Sequence, residues 1–312
     1  MTTNNKKGLT LSIVFEGSDL NYSEGLGNGS SLKKLTKDNE SYTYISPQAL
    51  KYEMKRQMDI YNTPLSLDSN SDSNDGEEEE TKSKKKSVIQ YDYDTNIQDY
   101  AEIDLFGYMK TKKKNGSKKR SGVVRVTNGI SLSSFKNDLD FLTNMGLVER
   151  ANSQGLDLKG GSIANSEIHH SLYAYTIAIE LDQLGIDVND NIEISNEEKA
   201  HRVNELLDTI NSLYRNIKGK TNDLSPIFVV GGVYTRKNPY FDNKIKINNN
   251  KVDVSLIKSV INRNEDTKTN TKVATLDNFF VNDEEIKKEL GAIEICDFFE
   301  DLKAQVKEVY GI

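Results

Sequence analysis

The sequence predicts an α+β fold. Three observations carry this: apolar, β-branched runs that read as strands, capped amphipathic helices between them, and long polar stretches that interrupt the series at definite junctions. The chain has 312 residues, 36% hydrophobic and 29% charged. That is long enough for one elaborated domain or two, but low in apolar content for a compact enzyme, so the polar stretches read as excursions from a smaller core.

The first strand is LTLSIVF at 9–15. A Gly/Ser/Asn-rich loop follows, NYSEGLGNGSSLKKL at 21–35. Its GLGNG lacks the spacing of a dinucleotide fingerprint, and no helix opens directly after it. YTYISPQALKYEMKR at 42–56 is a short strand entering a helix. Ser46 is the N-cap and Pro47 takes the first helical position, where its missing N–H costs nothing. Leu50, Met54 and Met58 form an apolar stripe, with Gln48, Lys51 and Lys55 as a cationic stripe beside it. Free N–H groups, a positive dipole end and flanking lysines suit a phosphate backbone, although a solvated face is the commoner meaning of such lysines.

Residues 62–88 are of low complexity and expected to be mobile, with disorder centred on about 68–86. DLFGYM at 104–109 leads into a basic run in which KKKNGSKK is a hairpin tip. VVRVTNGISL at 123–132 is the next strand, and 131–168, with Gly146, Gly155, Gly160 and Gly161, is less regular. SLYAYTIAIEL at 171–181 is a strand that puts Tyr173 and Tyr175 on one face. Ser195 and Glu198 form a capping box for the longest helix, whose Val203, Leu206, Leu207, Ile210 and Leu213 keep helical spacing. PIFVVGGVY from Pro226 is the last strand, and a helix from about Asp297 to Tyr310 closes the chain. Without insertions the order is strand, helix, strand, strand, helix, strand. This is the ferredoxin-like (RRM-like) arrangement, shared by RNA-recognition modules and many unrelated proteins.

Charge is segregated along the chain. The net charge is −7, yet Asp68, Asp72, Asp75 and Glu77 to Glu80 supply seven acids within 68–80, so the remainder sums to zero. From Lys110 to Arg125 there are eight bases (Lys110, Lys112, Lys113, Lys114, Lys118, Lys119, Arg120, Arg125) and no acid. Such blocks matter more for partners than the sum does. The single cysteine, Cys296, excludes an intrachain disulfide, fits a reducing cytosol and reads as a buried structural thiol. No apolar run reaches membrane-spanning length and the N-terminus lacks a signal-peptide core, so a cytoplasmic protein without membrane contact is expected. His169 and His170 are neighbours at a strand entrance and point to opposite faces, which argues against a shared metal; no cofactor is expected. Glu284/Glu285 and Glu300/Asp301 lie on acidic helices and read as solvated. The 15 tyrosines offer stacking surfaces, though most will pack.

Four ordered segments resemble the backbone subunit of CRISPR Cascade complexes, in the RAMP superfamily, most closely its type I-B, DevR-like branch. They are FEGSDLNYSEGLGNGSSLKKL from Phe15; YTYISPQALKYEMKR, where Ser46, Gln48, Leu50 and Lys51 match an S-x-Q-x-L-K helix start; DLFGYM followed by RVTNGISL; and GGSIANSEIHHSLYAYTIAIELDQLG, with Glu167, Tyr173 and Tyr175 in the pattern. PIFVVGGVYTRKNPYF adds a weaker match.

The resemblance implies a ferredoxin-like palm made of 1–60, 121–130 and 169–312. It implies a fingers insertion at 61–120 and a thumb at 131–168. It further implies a non-catalytic subunit that binds CRISPR RNA, stacks head to tail with copies of itself, joins other Cascade subunits and supports an R-loop on target DNA. The protein would hold phosphate and sugar and leave sequence to base pairing.

The residues expected at the RNA are Asn21, Lys33, Lys34, Ser46, Gln48, Lys51, Lys55, Arg125 and Asn128. Target DNA contacts are expected from Lys112, Lys113, Lys114, Lys118 and Lys119, for which a solvated hairpin is the competing reading. The acidic segment is expected to stay clear of both nucleic acids. In related type III subunits a loop aspartate cuts RNA. Here Asp19 and Asp38 lie only at the loop ends, aligned with no catalytic position, and the type I branch is not expected to cut. Two rivals stand beside this reading: a RAMP ribonuclease using His169 or His170 on precursor transcripts, and an RNA-binding autoregulator.

Overall fold

The computed structural model describes residues 7–20, 29–69, 87–112, 116–156, 163–217 and 219–312. Its centre is an eight-stranded sheet in which every paired neighbour is antiparallel. From one edge the order is Lys272–Thr275, Phe228–Tyr234, Gly8–Leu20, His169–Glu180, Gly129–Ser131, Glu40–Ile45 and Lys34–Lys37; Val124–Val126 also pairs with His169–Glu180. The strand Gly8–Leu20 is therefore interior, with Leu11 opposite Ile177 on one side and Gly231 on the other. An interior strand covered on both faces explains why its run is almost wholly apolar.

The two faces have different covers. Leu9, Leu11, Ile13, Phe15, Tyr173, Tyr175 and Ile177 point into a core shared with three helices: Pro47–Gln57 through Leu50 and Met54, Asn196–Asn211 through Val203 to Ile210, and Ile295–Tyr310 through Phe298, Phe299, Leu302 and Val306. All of these side chains are buried, and each contributes about 1.5–3 kcal/mol by leaving water. The opposite face, through Val14, Phe228, Val230, Tyr234 and Val273, packs on Tyr240, Phe241, Ile257 and Ile286. Gly232 makes this second cover possible: a Cβ there would lie 2.0 Å from the Asn270 carbonyl oxygen.

The sequence-marked caps form. Ser46 Oγ accepts from the Ala49 N–H and Ser195 Oγ from the Glu198 N–H at 3.2 Å. Glu198 does not close a capping box, because its carboxylate takes the Arg202 guanidinium at 2.7 Å instead. The strand expected over 123–132 is split at Thr127 and Asn128. There the Thr127 hydroxyl enters the ladder, accepting from the Thr176 N–H at 2.9 Å.

Both polar stretches are more ordered than their composition suggests. Leu65–Ser69 pairs with Ser87–Tyr91, Leu67 facing Ile89, and Gly107–Lys112 pairs with Gly116–Ser121. This corrects the mobile reading for the ends of 62–88; residues 70–86 lie outside the described residues. The irregular reading of 131–168 also gives way. Leu139–Thr143 pairs with Ile163–Glu167, which in turn pairs in parallel with Gly29–Ser30, and the helix Met145–Ser153 lies between the first two. Cys296 is exposed on the outer face of the last helix, not buried. The core side of that helix is taken by Phe298 and Phe299.

The base of the hairpin Gly107–Ser121 is held by buried charge. Asp104 accepts from Arg120 Nη2 at 2.7 Å, Arg202 Nη1 at 2.9 Å and the Gly185 N–H at 3.0 Å. Lys110 is fully buried, donating to the Thr95 carbonyl at 2.5 Å and to Asp190 at 3.3 Å. Tyr108 donates to Asp187 at 2.7 Å.

Candidate nucleic-acid interface

The helix that starts at Pro47 carries the most concentrated candidate site. Ser46 caps it and Gln48 is exposed in its first turn. One turn on, Lys51 and Lys55 each place their ammonium 5.9 Å from the centroid of the Phe106 ring. Lys51 has its pKa held below the ordinary lysine value, first by burial and then by repulsion from Lys55 and Arg125. Arg125, remote in the sequence, thus shares one electrostatic neighbourhood with the helix lysines Lys51 and Lys55. Their neutralisation is unequal. Lys55 binds Glu102 at 3.0 Å, and Glu102 also accepts from Tyr91. Arg125 binds Glu180 at 2.7 Å while remaining largely exposed. Among the described residues no carboxylate pairs with Lys51. A half-buried cation crowded by like charges is a place where an incoming anion gains more than it would at an open surface.

Asn128 is exposed at the break between Val124–Val126 and Gly129–Ser131. It lines a cleft of about 480 Å³ with Ser12, Thr127 and Thr176 on its floor and Lys37 and Lys246 at its sides. Lys37 and Lys246 are not singled out by the sequence; they are remote from Asn128 in the chain, and only the fold brings them to it.

Lys33 is exposed beside the strand Lys34–Lys37. Lys34 is engaged: its ammonium binds Glu167 at 2.7 Å and sits 4.7 Å from the centroid of Phe135. Glu167 also accepts from the Leu32 N–H at 2.8 Å, so it ties the loop end at 32–34 to the strand Ile163–Glu167. Asn21, Lys113 and Lys114 lie outside the described residues.

The hairpin proposed for DNA is less cationic than its sequence. Lys112 pairs with Asp94 at 3.1 Å and Lys118 with Asp190; Lys119 is exposed. Asp190 is held below the ordinary carboxylate range: hydrogen bonds and charge from Lys118 and Lys110 outweigh its burial. Within the same run, Lys110 and Arg120 are committed to the buried base described above.

The histidines divide as expected. His169 is buried, its Nδ1 2.7 Å from the Thr43 hydroxyl, and Thr43 lies 2.8 Å from the Tyr173 hydroxyl. Burial holds the His169 imidazole below its ordinary value. His170 is exposed against Glu16 at 3.2 Å. Among the described residues no group of three or more His, Cys, Asp or Glu side chains is placed to hold a metal ion. No described helix is long and apolar enough to cross a membrane.

The CRISPR-associated negative auto-regulator DevR/Csa2 family matches residues 9–256, most of the chain and both strands and helix of the site. The chain belongs to the DevR/Csa2 family. Two solved structures share the fold of this family member. A chain of a "CRISPR RNA-guided surveillance complex, pre-nicking" aligns with a TM-score of 0.61 at 12% identity, covering 97% of this chain and 100% of that one. A chain of a "CRISPR RNA-guided surveillance complex" aligns with a TM-score of 0.58 at 13% identity, covering 96% and 99%. No curated protein matches the sequence.

Proposed function

We propose that this chain is a non-catalytic, CRISPR RNA-binding backbone subunit of a type I-B Cascade surveillance complex. Family membership supports the CRISPR setting, and near-complete overlap with chains of two surveillance complexes supports the backbone role. The single observation that carries RNA binding is the Lys51 cluster. An unpaired, half-buried ammonium at a Ser46-capped helix start, beside Lys55 and Arg125, suits a phosphate of any nucleotide.

The strand order Phe228–Tyr234, Gly8–Leu20, His169–Glu180, Val124–Val126, with helices after the first and third strands in sequence, supports a ferredoxin-like palm. On this reading 61–120 are the fingers and 131–168 the thumb. Ser46, Gln48, Lys51, Lys55, Arg125, Asn128, Lys33 and the loop residue Asn21 follow the guide backbone. Lys34 joins them only by sharing its charge with Glu167. Copies of the chain stack head to tail on the guide, alongside other Cascade subunits, in the cytoplasm. Lys112, Lys113, Lys114, Lys118 and Lys119 approach target DNA in the R-loop, with Lys119 the strongest of the described three because Lys112 and Lys118 already hold carboxylates.

The histidine ribonuclease reading loses its geometry, since His169 is buried in a hydrogen-bonded network and His170 is paired with Glu16. Purifying the tagged chain with its operon partners and sequencing the bound RNA tests the proposal. Uniform CRISPR RNAs with repeat-derived ends and several copies of the chain per RNA are expected. A single enriched cellular transcript would instead establish an autoregulator, and RNA-free protein would end the proposal.

A further inference from the structure

We infer that a second phosphate-binding site lies at the far end of the sheet, in the cleft between Arg236 and Arg263, and that it takes the phosphodiester backbone of a single nucleic-acid strand. The inference rests on the nucleic-acid reading of the Lys51 cluster and extends its path. The cleft measures about 450 Å³ and is lined by Arg236, Asn238, Tyr240, Arg263, Asn264 and Asp266. Both guanidiniums are exposed, and among the described residues neither makes an ion pair or a side-chain hydrogen bond.

Asp266, the one carboxylate in the lining, is already saturated. It accepts from the Thr235 N–H at 3.2 and 3.1 Å, the Thr235 hydroxyl at 2.7 Å and the Asn270 amide at 2.8 Å. Two open guanidinium forks beside a carboxylate turned to other donors match the bidentate geometry of a phosphate.

The backbone on both sides of the cleft is fixed. Gly8 lets the first strand close on the segment that bears Arg236: a Cβ on Gly8 would meet the Lys237 Cα at 2.8 Å. Gly232 lets the helix Glu265–Asn270, just beyond Arg263, close on the sheet in the same way.

The cleft and the candidate interface are linked through a chain of ion pairs. Lys51 feels Arg125; Arg125 binds Glu180 at 2.7 Å; Glu180 binds Lys237 at 3.0 Å; and Lys237 adjoins Arg236. Arg125 and Lys237 are thus matched by Glu180 and Asp182, and the open cations lie at the two ends, at Lys51 and at Arg236 and Arg263. A strand that reached both ends would meet Arg236, within the PIFVVGGVYTRKNPYF segment, and Arg263, which lies outside every segment quoted above.

The test uses the full chain and a fluorescent single-stranded RNA of mixed sequence, with the same sequence as DNA in parallel. Affinity is measured against salt for the wild type, Lys51→Ala and the double variant Arg236→Gln/Arg263→Gln. Phenylglyoxal modification of arginines is then mapped by mass spectrometry with and without the oligonucleotide. The oligonucleotide is expected to protect Arg236 and Arg263. The double variant is expected to shallow the log–log salt slope by about 1.4, two single-strand contacts at about 0.7 each, with an unchanged melting temperature.

Unprotected arginines and an unchanged slope, while Lys51→Ala still shallows it, would overturn this site and leave the proposed function standing. A wild type that binds neither RNA nor DNA would remove both. Protection that rises with protein concentration and ignores the oligonucleotide would also overturn the site, identifying its occupant as an acidic segment of a second copy.

Discussion

Replacing Asp104 by alanine removes a carboxylate shared by two nearly buried arginines, Arg120 and Arg202. Stripping one member from a buried ionic group costs about 3–5 kcal/mol, because the partner charge stays desolvated and unpaired. The structure narrows that range. Arg202 keeps Glu198 at 2.7 Å and the carbonyls of Ile97 and Gln98, so its charge remains matched. Arg120 keeps carbonyl acceptors, among them Ile186 at 3.0 Å, but no second carboxylate. The Gly185 N–H also loses its acceptor. One unpaired guanidinium rather than two points to the lower end, about 3 kcal/mol. With a urea m-value of about 3 kcal/mol/M, the denaturation midpoint should fall by about 1 M at unchanged m. Lys119→Ala, in the same basic run but exposed, should move stability by less than about 0.5 kcal/mol. If Asp104→Ala behaved like Lys119→Ala, the buried base of the hairpin would be refuted, and Arg120 would return to the pool of residues available to nucleic acid.

Lys51→Arg should flatten the pH dependence of RNA binding. A phosphate raises the lowered Lys51 pKa, so the wild type takes up a proton on binding and loses affinity as pH rises through that lowered value, whereas arginine stays charged; equal profiles in a binding titration would contradict the Lys51 assignment. Gly232→Ala should destabilise the fold by roughly 1–3 kcal/mol, since its Cβ would lie 2.0 Å from the Asn270 oxygen, and thermal melting will show it. His169→Gln should remove an acid-side loss of stability. Burial depresses the folded pKa below the ordinary 6.5, so the unfolded chain protonates first and wild-type stability declines as pH falls from about 6.5 toward the folded value; identical stability–pH curves for the two proteins would show that His169 is solvated.

Where the sequence was legible, local rules decided the outcome. The Ser46 and Ser195 caps, the Leu50–Met54 stripe and the shared face of Tyr173 and Tyr175 depend on residues a few positions apart, and each forms. Patterning also separated His169 from His170, because alternation along a strand is a local property. The errors have the opposite character. Composition favours a buried Cys296, since cysteines usually are, but burial on a helix is set by which face meets the core, and Phe298, Phe299 and Leu302 claim that face. Residues 62–88 and 131–168 looked irregular because short polar strands have little periodicity of their own. Their order comes from pairing: two hairpin-like pairs form across about twenty residues each, and Ile163–Glu167 adds the remote Gly29–Ser30.

The basic run from Lys110 to Arg125 shows the same limit in its charge. Counted along the chain it holds eight cations and no acid. In three dimensions Asp190 reaches Lys110 and Lys118, Asp94 takes Lys112, Asp104 takes Arg120 and Glu180 takes Arg125. A run of like charge is thus partly a set of sockets for distant carboxylates, and its sequence count overstates the field it presents to a phosphate. Lys51 is the reverse case. It sits in an ordinary helix with acids nearby in sequence, yet folding brings Arg125 to it and, among the described residues, no carboxylate. For an electrostatic ligand, the informative quantity is the charge left over after tertiary pairing. By that measure the helix start at Ser46 and the Arg236–Arg263 cleft outrank the lysine-rich hairpin.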